Sequence, residues 1–408
     1  MQRIEPLHFE GHHRALCTVM FFSAVLFSGG HAKGAVFPCD EAGVVAAIAA
    51  GGGPHTFSCG AATTVVTSST IVLDQDVVLD GEGLLTLDGN ATHGVLQVAS
   101  GVTTELRRLH VANGLRAGDD GGGIRNGSLD AIPVGGVLTL SECSVTNSAA
   151  QGGGGVANLN GSLLVMDSTI SGNSAVTGGG ISSRSVAGLP ADLTLSRSTV
   201  SGNGANFGAG VHISGTDPTW IENTTLATNF ALLLGGAVMH EGSGTLDLVH
   251  VTIALNFAEG GSAISAGIGT TNRFANSIIV DALCDGIVAS LGGNIESPGD
   301  SCFFSDSTDQ SLVPVSSLAL GALTDNGGPT STHSLGAGSV AIDAAVLASC
   351  PPTDQRGVTR PDAGGTDCDS GAYEAVPEPS LPAMLFPGVA ILFALNQRRR
   401  AGRSMEAQ

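Results

Sequence analysis

From Leu138 onward the chain repeats itself, in units reading LTLSECSVTNSAAQGGGGVAN, LLVMDSTISGNSAVTGGGISS, LTLSRSTVSGNGANFGAGVHI, TWIENTTLATNFALLLGGAVM and LDLVHVTIALNFAEGGSAIS. Asn147, Asn173, Asn203, Asn229 and Asn256 recur at spacings of 26, 30, 26 and 27 residues. A period in this range specifies a solenoid, because each unit is one supersecondary element that cannot bury its apolar face without a neighbour. Within a unit, short segments with alternating apolar residues, such as Leu193 and Leu195, then Val200, then Val211 and Ile213, are separated by Gly, Asn and Ser. These segments have the length of strands and are too short for helices. Three of them per turn, joined by sharp corners, describe an all-β right-handed parallel β-helix. The corner asparagines have two expected tasks: to adopt the left-handed backbone a tight corner needs, and to hydrogen-bond the equivalent amide one coil away. The glycine runs at Gly121, Gly152 and Gly178 are read as passages where no Cβ fits, structural rather than catalytic.

The stretch Thr70 to Asn90 has the same alternating texture, so the coils are expected over 65–282. Ahead of them, a cap over 33–64 contains the Ala-rich run Cys39 to Gly53, which predicts a short amphipathic helix closing the open end of the core. At the N-terminus, Arg3 and Arg14 precede an apolar run, Ala15 to Phe27, and the small residues SGGHA, the layout of a secretory signal peptide over 1–32. Export brings an oxidising compartment. Cys39 with Cys59, Cys284 with Cys302, and Cys350 with Cys368 are therefore read as disulfides, each stabilising by roughly 3 kcal/mol in the chain-entropy model, and Cys143 is left over as a buried thiol. A formal net charge of −20 argues against nucleic acid or anionic lipid as partner.

The other end reads VPEPS, then an apolar run from Leu381 to Leu395 broken by Pro382 and Pro387, then Arg398, Arg399, Arg400 and Arg403. The run is shorter than the ~20 residues that span a bilayer, and the arginines would hold its end on the cytoplasmic side. This order over 376–403 resembles the PEP-CTERM sorting signal of Gram-negative bacteria. The resemblance implies an exosortase-type enzyme that recognises Pro377, Glu378 and Pro379. It also implies a transient stay in the inner membrane and release to the cell surface or extracellular matrix. Between Leu320 and Glu374 the ordered set NGGP, THSL, AIDA, DQRG, RP and GAYE is similar to the choice-of-anchor Q domain of exported proteins with a pectin-lyase-like β-helix, and 283–375 is assigned to that domain. The coils also resemble the GGA(I/L/V) and FxxN repeats of polymorphic outer-membrane proteins, as in NFALLLGGAV, Asn229 to Val238. These resemblances bear on location and fold more than on activity.

A pectin-lyase-like helix raises the reading of a polysaccharide lyase, with Ca²⁺-binding aspartates and an Arg or Lys base along a groove. Asp119 and Asp120 adjoin in a turn-like stretch, and Arg125, Arg184 and Arg197 are basic candidates with nothing to mark one as activated. Asp167, Asp192 and Asp247 are read as solvated corners, and His212 and His240 as a polar face rather than a metal pair, since a third ligand is missing. In the C-terminal region some of Asp343, Asp354, Asp362, Asp367 and Asp369 are expected to pair with Arg356 and Arg360, and these carboxylates are where a structural Ca²⁺ would bind. One Trp and one Tyr leave little stacking surface for sugars. No nucleophile, base and oxyanion donor fall together, so no catalytic residue, metal ligand or cofactor is assigned. The expected function is a non-catalytic adhesin or exopolysaccharide-associated scaffold, with a polysaccharide lyase or hydrolase as the alternative.

Overall fold

The computed structural model describes residues 34–128, 135–185, 189–286, 288–362 and 365–376. The expected signal peptide, with its cysteine at position 17, and all of the expected sorting signal over 376–403 beyond Val376 lie outside the described residues. Among the described residues, no helix is long and apolar enough to cross a membrane.

The coils stack as expected into a parallel β-solenoid. One coil shows the plan: Val137–Ser141, Ser144–Thr146 and Val156–Leu159 each pair in register with their counterparts one coil before and one coil after. Repetition produces parallel sheets of eleven, ten and nine strands. Alternate residues point inward, and Leu138, Leu140, Val145 and Val156 are fully buried among the equivalent Leu, Val and Ile of neighbouring coils. Full burial of such a side chain stabilises by about 1.5–3 kcal/mol, so the stack is held by its inward rows. Between the ten- and nine-stranded sheets a fourth, shorter ridge emerges, from Leu115–Asp120 and Ala149–Gly152 through isolated bridges to Gly204–Phe207, Phe230–Leu234 and Phe257–Ala258.

Helix α1, Glu41–Ala50, closes one end of the core with Val44, Ala47 and Ile48. Asp40 caps it by accepting from the Gly43 N–H at 2.7 Å. Parallel pairing already begins at Val36–Phe37, which lies against Gly52–Phe57, itself paired with Val77–Asp80, so the stretch 33–64 supplies strands as well as the helix. At the other end the sheets run on to Val288–Ser290 and Ile295–Ser297, past residue 282. All three disulfides are formed. Cys143 is buried, and burial pushes its thiol up to about 11.

The corner asparagines form a buried ladder. Asn173 Nδ2 donates to Asn203 Oδ1 at 3.1 Å, Asn203 to Asn229 at 2.9 Å, and Asn229 to Asn256 at 2.9 Å. Each of these three also donates to a main-chain carbonyl: those of Val145, Ile170 and Val200. Asn147 is a correction. The register sets Thr146 against Ser171, so Ser148 occupies the ladder position and receives Asn173 Oδ1 on its N–H, while Asn147 stands one residue earlier. That earlier position carries the positive φ, 52° at Asn147, 67° at Gly172, 64° at Gly202 and 55° at Thr228. The two expected tasks are thus divided between adjacent residues.

The C-terminal region does more than cap an end. It lies along the outer face of the ten-stranded sheet, where Thr199 Oγ1 donates to the Ser331 carbonyl at 2.6 Å, Thr225 Oγ1 to Gln355 Oε1 at 2.7 Å, and the Ala372 N–H to Thr252 Oγ1 at 2.9 Å. Ala254, Ile278, Val280 and Ile295 of that face form a second core with Val313, Leu318, Leu335 and Ala341. Arg356 pairs with Asp354 at 2.7 Å and lies over the Tyr373 ring at 3.5 Å. Arg360 was expected to pair with an aspartate of this region; its carboxylate partner is Glu374, at 2.9 Å with both side chains buried, and it also donates to the Asp369 and Gly371 carbonyls.

Candidate functional site

Charged residues converge on the outer face of the nine-stranded sheet, where the ridge folds back beside it. Leu96, Val98, Ile124 and Asn126 point inward, which turns Gln97 and Arg125 outward toward the ridge strand Leu115–Asp120. Arg116 and Asp119 come from that strand. Arg125 Nη1 donates to Asp119 Oδ2 at 2.7 Å, and Arg116 lies 3.7 Å from the same carboxylate while donating to Gln97 Oε1 at 3.2 Å. Arg184, two coils further on, pairs with Asp120. The glycines make this arrangement fit: a Cβ at Gly94 would stand 2.3 Å from Arg116 Nε, and one at Gly152 would stand 2.5 Å from Asp120 Oδ1.

Three guanidiniums therefore face two carboxylates. Burial, reinforced by Arg125, holds the Arg116 guanidinium below the ordinary arginine range, and burial lifts the Asp120 carboxyl above its ordinary value despite Arg184. Four buried polar atoms on this wall have no protein partner: Arg116 Nε, Ser182 Oγ, Arg184 Nε and His212 Nδ1. Unsatisfied buried polar groups cost about 1–3 kcal/mol each, so such a concentration marks a wall shaped for more than packing.

The sequence candidates are distributed by this geometry. Asp119, Asp120, Arg125 and Arg184 come together here, and Arg116 and Gln97 had escaped notice because they belong to different strands. Asp167 and Asp247 are not solvated corners: they pair across one coil with Arg197, at 2.6 Å, and Arg273, at 2.5 Å. Asp192 stands apart, its carboxyl raised by burial and by Asp217. His212 and His240 do not face each other, since the register sets His212 beside Met239 and His240 beside Ile213. His212 Nε2 lies 3.1 Å from Glu241 Oε2 on the outside, while the His240 Nδ1 atom meets Asn272 Oδ1 at 2.6 Å on the inside. Among the described residues, no group of three or more His, Cys, Asp or Glu side chains is gathered as a metal-ligand set. Two open hollows, of about 260 and 200 Å³, lie elsewhere, one against α1 and Ile71–Leu73 and one beside Leu234, Gly260 and Leu283.

A second outward row crosses the eleven-stranded sheet: Leu164, Thr194, Trp220, Asp247 and Arg273 are register neighbours on successive coils. Trp220 Nε1 donates to Glu222 Oε2 at 3.3 Å, and burial lifts the Glu222 carboxyl above its ordinary value against that bond.

The fold thus defines the class of protein as a parallel β-helix. No protein-family model and no curated protein matches the chain. Among solved structures, the crystal structure of pectate lyase Pel9A is similar at 13% sequence identity, over 85% of this chain and 97% of that one, with a TM-score of 0.49.

Proposed function

We propose that the protein is exported, held briefly at the inner membrane of a Gram-negative cell, and released to the cell surface or extracellular matrix. There it holds acidic polysaccharide without cleaving it. The observation that carries this reading is the convergence of Arg116, Arg125 and Arg184 on one outer face against only two carboxylates. Guanidiniums form planar, bidentate pairs with carboxylates, so a row of uronate groups is a fitting counterpart. The net charge of −20 does not forbid this contact, because at physiological salt charges are screened beyond about 8 Å. The repeat also suits a polymer, since each added coil lengthens the face without altering the core.

Release rests on the apolar run Leu381 to Leu395, too short and too interrupted for a durable anchor, which need only hold the chain until an exosortase-type enzyme cuts near Pro377 to Pro379. A polysaccharide lyase is the second reading, favoured by the place of Arg116 on this outer face, packed beside Arg125 and Gln97, where burial and the neighbouring guanidinium ease loss of its proton. One experiment separates the two. The purified body is incubated with polygalacturonate and Ca²⁺, and both bound protein and ultraviolet absorbance of unsaturated products are followed. Binding without absorbance supports the scaffold, absorbance abolished by Arg116→Ala supports the lyase, and neither overturns both.

A further inference from the structure

We propose that the outward row Leu164, Thr194, Trp220, Asp247 and Arg273 on the eleven-stranded sheet is a second, separate site, which holds a neutral hexopyranose chain with one ring stacked on the Trp220 indole. The row is laid down by the parallel register, so its side chains stand one coil apart, about 4.8 Å, and the whole spans roughly 19 Å along the stack. Its first half, Leu164, Thr194 and the half-buried Trp220, is a platform without charge. Its second half is polar and held rigidly: Arg273 makes a two-pronged pair with Asp247, both contacts at 2.5 Å, and still leaves 42% of its side chain exposed. A pyranose ring presents an apolar C–H face and a rim of hydroxyls. The indole suits the face, and Glu222, Asp247 and Arg273 suit the rim as acceptors and donors.

Two further observations fix the indole in place. Its N–H is tied to Glu222, and the next residue, Asn223, donates to the Thr353 carbonyl of the C-terminal region at 2.8 Å. The covered ten-stranded face therefore forms one border of the row, with Ser196 and Val249 buried beside Glu222. A side chain with few rotamers, held at the edge of a rigid wall, loses little freedom when a ligand stacks on it. The neutral character of the ligand follows from charge. Around the indole, Asp247, Glu222 on the adjoining row and Asp167 outnumber Arg273 and Arg197, so a uronate would meet excess negative charge here. The site does not depend on the acidic-polysaccharide reading, and the two can fail separately.

Trp220 is the only tryptophan in the chain, so its fluorescence reports on this site alone. Cellohexaose, maltohexaose and mannohexaose are titrated into the purified body, with hexagalacturonate as the acidic comparison. The result expected is a saturable change in emission, with protection from acrylamide quenching, for at least one of the three neutral hexasaccharides and a weaker response to hexagalacturonate. By calorimetry, Trp220→Ala should weaken that binding at least tenfold and Trp220→Phe by less, with unchanged thermal unfolding as the check on folding. The double variant Arg116→Ala, Arg125→Ala should bind the same neutral sugar as the parent does. The proposal is overturned if none of the neutral probes alters or protects Trp220 at millimolar concentration, if hexagalacturonate does so equally well, or if Trp220→Ala binds as tightly as the parent.

Discussion

Two outer sites of this solenoid stand on different coils and different sheets, and they differ in the groups they gather. On the nine-stranded face, Arg116, Arg125 and Arg184 gather around Asp119 and Asp120, with Glu241 beside His212 further along, and the charges reach each other across the gap between sheet and ridge. On the eleven-stranded face and its border, Glu222, Asp247 and Asp167 outnumber Arg273 and Arg197, around a single indole and beside the C-terminal region. The difference shows what a parallel β-helix allows. Inward residues are constrained by the stack, whereas outward residues are free to form unrelated sites, provided that neighbouring coils keep register.

The comparison breaks most sharply at Arg360. Its pair with Glu374 is wholly buried, and removing one partner of such a pair typically costs about 3–5 kcal/mol. Arg360→Ala should therefore loosen the C-terminal region, shift Trp220 emission to the red and abolish neutral-sugar binding, while acidic-polymer binding at the Arg116 face survives. Equal loss at both faces would show that they are not independent.

Asn203→Ala should act on both faces together. Asn203 Oδ1 accepts from the Asn173 N–H, and its amide donates to Ile170 and Asn229, so truncation leaves several buried groups unpaired and should cost about 3 kcal/mol. Thermal or urea unfolding measures it. At the Arg116 face alone, the double variant Arg116→Ala, Arg125→Ala should weaken binding of polygalacturonate about tenfold, equivalent to ~1.4 kcal/mol, with a shallower salt dependence and unchanged Trp220 emission.

The smallest effect is that of pH. His250 sits where Asn276 ties the stack to the C-terminal region, accepting from Asn276 Nδ2 at 2.9 Å, and burial first, then Arg360, holds its pKa well below 6.5. Because the unfolded chain binds this proton more readily, the stability it confers is present above about pH 6.5 and is lost as pH falls below it, by no more than about 1.4 kcal/mol per unit. Glu374 and Asp369, whose carboxyls burial raises, act with the opposite sign at lower pH. Unfolding midpoints should fall between pH 7 and 6 in the parent and fall less in His250→Gln.

The stack was legible because its signal is periodic. Inward Leu, Val and Ile and the corner asparagines recur with each coil, and only the single-residue offset at Asn147 went astray, since a corner holds a left-handed residue and a ladder residue side by side and either can be asparagine. A second inner ladder, from Asn126 through Asn158 to Ser183, changes residue type partway and left no repeat to see. The sites were only half legible for the same reason. Arg125 and Asp119 are close in sequence, but Arg184 meets Asp120 from 64 residues away. Asp167 meets Arg197 because the register sets Met166 against Ser196 one coil on, a coil of 30 residues lying between them. Docking of the C-terminal region onto Thr199, Thr225 and Thr252 joins segments more than a hundred residues apart, through hydroxyls that resemble those of any exposed strand.

The most direct measurement of the central claim is sedimentation of the purified body, residues 34–376, with polygalacturonate and Ca²⁺, recording protein distribution, polymer size and ultraviolet absorbance together. Binding without cleavage predicts that the protein travels with the polymer, that the polymer keeps its size and that no unsaturated product appears. Shortened polymer with rising absorbance, or protein that stays wholly apart from the polymer, would contradict it.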